Sequence, residues 1–380
     1  MFDTDEGDQE PMDGLTERQE PAERGRATEG ARGLLLGLAL GESLGAARGG
    51  PVPAGVLRAG VCTQLACFTV EGSVRAAVRG SHKGICHPPS VLWHAYGRWA
   101  YLQGIAREHV RGRWDRSDGA REWPDGWLAG VPALAERRGS APATVEALSG
   151  AWQGTLEEPA TRSRGWHAVG RTLPLALWGD ARSPKYVRLR NHPLREVAAL
   201  THGDPGAQWA AVCATALAAH CLVAESLRGA AGDALAALGG VEDLPRAELG
   251  LLAGALAGAA AHPGDPARLA RLAPDPTAWS AVLGGLYAAA SFPERGEVER
   301  ALRFAAGAPD GEAVACVAGA LLGAVHGARA LPVGLVSRHE LAWVLDTLAR
   351  DLLSELRESP GGGEYEKGWD PYWLHRYPGW

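Results

Sequence analysis

Cysteines at 62, 67, 86, 213, 221 and 316 and twelve histidines are the side chains of this 380-residue chain suited to metal or nucleophile chemistry. Cys62, Cys67 and Cys86, with His82 and His87, bring sulfur and imidazole donors into one stretch, and zinc takes those donors. No C-x-x-C or H-x-x-x-H pair occurs there, and Cys62 to Cys67 lies in an apolar run. That spacing points to buried, reduced thiols and not to a metal site. Two acids, Asp310 and Glu312, follow Pro309 and open an apolar segment. Carboxylates there suit the positive end of a helix dipole with no metal at all.

These residues must be placed by helices. From Ala31 onward, Ala/Leu/Gly-rich segments alternate with Pro/Gly/Asp breaks. Apolar spacing predicts helices over about 31–47, 61–78, 89–108, 128–137, 143–152, 194–201, 206–228, 247–260, 278–291, 296–306, 312–327 and 338–356. Runs of Val, Ile, Tyr or Phe in strict alternation are absent, so no strand is predicted. Gly scattered through the apolar segments suggests closely approaching helices. The expectation is a compact, all-α single domain over 27–356. It follows an acidic disordered tail, 1–26, and precedes an aromatic segment, 357–380, packed by Trp369, Tyr372, Trp373 and Trp380.

Composition limits the partners. Hydrophobic residues are 46% and charged residues 22% of the chain, ordinary globular usage. The net charge of −6 is concentrated in residues 1–23, with nine acids against one Arg, so the remainder is +2. A nearly neutral body gives no electrostatic case for nucleic acid or an anionic membrane. The longest apolar run, 207–224, is Ala-rich and contains Gln208 and His220, too weakly apolar to span a bilayer. The acidic opening lacks the apolar segment of a secretory signal, which predicts a cytoplasmic location.

Several segments, in order, resemble the ADP-ribosylglycohydrolase family. Residues 32–45, with Gly37, Gly41, Glu42 and Gly45, look like its opening helix and Gly-Asp-Ala-Leu-Gly motif. Thr63 and Gln64 stand where the family has Asp-Asp-Thr-Gln; His94, Arg98, Trp99 and Gln103 resemble the next helix. Ser163, Gly165, Arg171 and Pro174 match its Ser-Lys-Gly-Cys-Gly loop and Met-Arg-x-x-Pro. Thr201, His202, Gly203 and Pro205 match its Ala-Leu-Thr-His-Gly-His-Pro. The resemblance covers about 31–380. It implies a helical domain with two magnesium ions that cleave glycosidic bonds of ADP-ribose.

The departures fall on the ligands. Val61 and Cys62 stand where the family has two adjacent aspartates, and a hydrocarbon and a soft thiol cannot replace them on magnesium. Asp-Ser-Asp-Ser-Thr becomes Asp310, Gly311, Glu312, Ala313 and Val314, and the loop's Cys-Gly becomes Trp166 and His167. The expected function is therefore a pseudoenzyme with no cofactor, or at most one weakly held magnesium at Asp310 and Glu312. Its partner would be an ADP-ribose-like molecule or a protein. Single-metal or metal-independent glycosidase chemistry is one alternative, and a structural protein with a filled cleft is another. A Cys62 nucleophile paired with His167 or His202 is a further enzyme reading. The candidate ligand-binding residues are Glu42, Thr63, Gln64, Ser163, Gly165, Trp166, His167, Arg171 and His202. Several have a structural alternative: Glu42 solvated or paired with Arg48, Arg171 holding a carboxylate, His202 capping the turn after it, Trp166 as packing.

Overall fold

The computed structural model describes residues 13–48, 50–105, 124–150, 152–178 and 193–379, with the backbone alone for 13–22. Among the described residues the architecture is all-α. Extended backbone meets only in isolated bridges, Leu57 with His339, Gly165 with Thr277 and Gly362 with Lys367. The helices that position the site are α1 (Asp13–Ala46), α2 (Val61–Lys83), α3 (Pro88–Leu102), α4 (His167–Thr172), α5 (Pro205–Cys221), α6 (Ala278–Ser291), α7 (Gly311–His326) and α8 (Ala342–Glu358).

α1 and α7 form the centre, and small residues explain how. A Cβ on Gly33 would lie 2.0 Å from the Gly323 carbonyl oxygen, one on Gly37 2.1 Å from that of Gly319, and one on Gly41 1.9 Å from that of Ala315. Positions rising by four on α1 therefore meet positions falling by four on α7, an antiparallel pair in backbone contact. Of the scattered glycines, Gly33, Gly37, Gly41, Gly319 and Gly323 form this seam. Leu34, Leu35, Leu38 and Leu40 of α1 are all buried, so the helix is apolar on every side within the core.

The expected start at 31 marks where α1 becomes buried, not where it begins. The helix runs unbroken from Asp13, and residues 23–26 of it are exposed. The expected boundary at 26 therefore falls inside a helix; residues 1–12 lie outside the described residues. Apolar periodicity reports only the packed part of a helix, and charged residues propagate it outward. The expected helix 206–228 is likewise two: α5 stops at Cys221, and a second helix, Leu227–Gly239, starts on Ser226, whose side chain accepts the Gly229 N–H at 3.2 Å.

Charge ties the outer elements down. Glu71 of α2 is paired with Arg75 and with Arg98 of α3, and Arg75 also reaches Asp125 at 2.9 Å. Both arginines and Glu71 are fully buried or nearly so, and the acids balance them. In the last segment Trp373 and Tyr377 are buried, and Trp373 donates to Glu355 at 2.6 Å. Trp369 and Tyr372, expected to pack, are 65% and 76% exposed. Trp380 lies outside the described residues. No described helix is long and apolar enough to cross a membrane.

Candidate functional site

α2 begins without a capping side chain of its own, because its N-cap is Gly60. Glu42 supplies the cap from α1. Its carboxylate accepts the N–H groups of Gly60 at 3.1 Å, Cys62 at 2.8 Å and Thr63 at 2.9 Å, and the Thr63 hydroxyl also donates to it. Gly60 is required for this approach, since a Cβ there would lie 2.3 Å from Glu42 Oε1. Glu42 is neither solvated nor paired with Arg48 but wholly buried. Burial pushes its carboxyl up while the donors from Thr63, Cys62 and Gly60 oppose.

Beside this cap, Cys62 faces Cys316 of α7 with the sulfurs 3.7 Å apart. Burial first, and each other's presence second, hold the Cys62 thiol well above its usual range. A protonated thiol facing another thiol is not an activated nucleophile, which removes the support for a Cys–His pair. Glu312 lies one helical turn before Cys316. Burial, then Glu42 and Asp310, push it up to about 7, with Arg48 opposing. Asp310 is raised by burial, and its Oδ2 is buried without a hydrogen-bond partner.

The second half of the site surrounds α4. Ser163 Oγ accepts the Gly165 N–H at 3.1 Å, folding the loop, and the loop pairs with the start of α6 through Trp166 N–H to the Pro276 carbonyl at 3.1 Å. Trp166 is buried, and its ring stacks on that of His167 with centroids 4.4 Å apart. His202 is buried below the loop, its Nδ1 2.8 Å from the Thr201 hydroxyl. Burial, then Arg171, lowers His167 to about 4 and His202 well below its usual range, so both rings are neutral.

Two structural expectations change here. Arg171 holds no carboxylate: it donates to the Ala198 carbonyl at 2.9 Å, the Thr201 hydroxyl at 2.6 Å and the Tyr96 hydroxyl at 3.3 Å. It thus closes the C-terminal end of the helix at 193–199, whose dipole favours a cation. His202 does not cap α5. Asp204 does, accepting from Ala207 N–H at 3.0 Å.

The two halves meet at Gly170. A Cβ there would lie 2.1 Å from Cys62 Sγ and 3.0 Å from the Trp166 ring, so thiol and indole pack on the same bare backbone. Gln64 is turned elsewhere. Its amide donates to the Ala133 and Glu136 carbonyls at 2.8 and 2.9 Å and accepts from Trp99 at 3.2 Å, fixing the turn beside α2.

The sequence profile of the ADP-ribosylglycohydrolase family matches residues 23–361. The chain belongs to the ADP-ribosylglycohydrolase family. A solved structure titled "ADP-ribosylglycohydrolase-related protein complex" shares the fold, with a TM-score of 0.54 and 20% identity over 87% of this chain and 99% of the other. No curated protein matches the chain by sequence.

In this glycohydrolase-family chain, no group of three or more His, Cys, Asp or Glu among the described residues is placed to hold a metal ion. One charged residue at the site, Asp275, was missed from sequence. Asp275 precedes α6, accepts from Thr277 and Ser280, and stands close enough to Asp310 to raise it. Its Asp-Pro-Thr context reads as ordinary helix capping. Arg48, just after α1, is exposed, and its charge only opposes the rise at Asp310 and Glu312.

Proposed function

We propose that this ADP-ribosylglycohydrolase-family chain is a pseudoenzyme whose two-magnesium site has been given over to internal contacts, and whose loop side, residues 163–167, serves binding. The observation that carries the reading is the closed account at the start of α2. The Thr63 hydroxyl and three backbone N–H groups are spent on Glu42, while Cys62 is turned against Cys316. Magnesium takes hard oxygen donors in octahedral array. Hydrocarbon and thiol at 61 and 62 offer none, Asp310 and Glu312 are the carboxylates left in the matched metal motifs, and Glu42 is taken up by the α2 cap. The residues present do not fit a pair of magnesium ions.

What the site would bind is proposed from its other half. Ser163, Gly165, Trp166 and His167 form the loop matched to the family's ligand side and His202 lies beneath it, so an ADP-ribose-like molecule or a protein is the proposed class of partner. Six unpaired cysteines support a cytoplasmic setting.

The test is turnover of ADP-ribosyl-arginine and O-acetyl-ADP-ribose with and without magnesium, alongside calorimetric titration with ADP-ribose. Binding without turnover is expected. Hydrolysis abolished by chelator overturns the reading. Hydrolysis that survives chelator and disappears in Glu312→Gln would instead identify a metal-free route, with Glu312, pushed up to about 7, as the acid.

A further inference from the structure

We propose that Cys62 and Cys316 form a redox pair that hydrogen peroxide closes to a disulfide, and that closure withdraws the Cys62 sulfur from beneath the Trp166 loop. The two sulfurs face each other at 3.7 Å, although the residues lie 254 positions apart in the chain. A disulfide holds its sulfurs about 2 Å apart, so closure asks for a movement of about 1.7 Å. Packing decides where that movement falls. α7 is held at this point by its seam with α1: a Cβ on Gly41 would lie 1.9 Å from the Ala315 carbonyl oxygen and 2.8 Å from the Cys316 nitrogen. The Cys62 backbone is held too, by its N–H on Glu42 at 2.8 Å. What is left to turn is the Cys62 side chain.

On its other side that sulfur rests on bare backbone. A Cβ on Gly170 would lie 2.1 Å from Cys62 Sγ and 3.0 Å from the Trp166 ring. Turning Cys62 toward Cys316 therefore empties the space that thiol and indole share, and the ring stacked on His167 loses a neighbour. Both cysteines are buried, and burial keeps both thiols protonated, so the pair reacts slowly and answers to sustained peroxide. The reaction balances on peroxide alone. One sulfur gives up its proton and attacks a peroxide oxygen; the O–O bond breaks, water leaves and a sulfenic acid remains. The second sulfur then displaces the sulfenic oxygen, which departs as water with the second thiol proton. The thiols together lose two electrons and two protons, and the peroxide is reduced to two waters. This proposal does not rest on the pseudoenzyme reading.

The experiment holds the folded full chain in hydrogen peroxide, removes the oxidant, unfolds the protein in an alkylating agent and maps the cysteines by mass spectrometry. A Cys62–Cys316 disulfide is expected, with the buried Cys67, Cys213 and Cys221 alkylated and the half-buried Cys86 oxidised singly. Cys316→Ala should show no such bond. Tryptophan emission should shift on oxidation of the parent and return with dithiothreitol, and the shift should be absent in both Cys316→Ala and Trp166→Phe. If Cys62 and Cys316 are still alkylated once Cys86 is fully oxidised, the pair is a packing contact and the inference falls. If the bond forms with no emission change that depends on Trp166, the coupling to the loop is refuted. Neither result touches the pseudoenzyme reading, which turnover and chelation decide.

Discussion

On the proposed reading, Cys62 is the side chain that redirects the site. It stands at a position matched to a metal-binding aspartate, is buried, and has Gly170 and Cys316 as its immediate surroundings. Restoring the family's ligands by Val61→Asp, Cys62→Asp, Glu312→Asp and Val314→Thr therefore places carboxylates where the protein now has a dry contact. Burying unpaired carboxylates costs several kcal/mol, about 3–5 for an uncompensated charge. We expect the restored chain to melt well below the parent in chelator and to recover when magnesium is added, as measured by thermal scans across a magnesium series. Turnover should lag behind affinity, because Trp166 and His167 still fill the loop side with two stacked rings. A restored chain whose melting temperature ignores magnesium would show that the α2 cap, not the missing ligands, excludes the metal.

At the level of elements, the α1–α7 seam decides stability. Ordinary helix propensity says that replacing a mid-helix Gly by Ala stabilises by about 1 kcal/mol. Gly37 should do the opposite. Its Cβ would sit 2.1 Å from the Gly319 carbonyl oxygen, and that contact is backbone on both sides, with no side chain able to swing away. We expect Gly37→Ala to lose about 1–3 kcal/mol or more in urea denaturation, the range for overpacking. Gly232, which faces open space in the helix Leu227–Gly239, is the matching control and should gain on substitution by Ala. The sequence announced that glycines matter here but could not rank them. Gly37 and Gly232 both sit in Ala/Leu-rich helices, and only the partner helix distinguishes them.

Across the whole molecule, pH should act through carboxyls held protonated by burial. Glu355, buried under the last segment, is pushed up to about 7 from an ordinary 4.5, with the Trp373 N–H opposing. The folded state binds that proton more tightly than the unfolded chain, so its contribution is full below about pH 4.5 and is lost as pH rises through 7. Glu312 works in the same direction, whereas His167 and His339, lowered to about 4 by burial, cost stability as pH falls from 6.5. Glu355→Gln isolates one contribution, since an amide oxygen still accepts from Trp373 and does not titrate. Between about pH 5 and pH 8 the variant should lose less unfolding free energy than the parent, by up to about 3 kcal/mol, read from urea curves at each pH.

Much was legible in the residues alone. Apolar spacing gave the helical class, and the helices over 278–291 and 312–327 lie within a residue of their observed bounds. Ordered motifs from Gly37 to Pro205 gave the family, and Val61, Cys62 and Val314 marked the departures. These are local or serial properties, written in residue type and spacing. The sequence did not contain what each departing residue touches. That Glu42 caps a neighbouring helix, that Cys62 meets Cys316 and that Arg171 closes a helix end all depend on α1, α2, α4 and α7 converging from distant parts of the chain. Burial and charge are properties of that convergence. A carboxylate in a Gly-rich helix is only an acid until packing supplies its donors and removes its water.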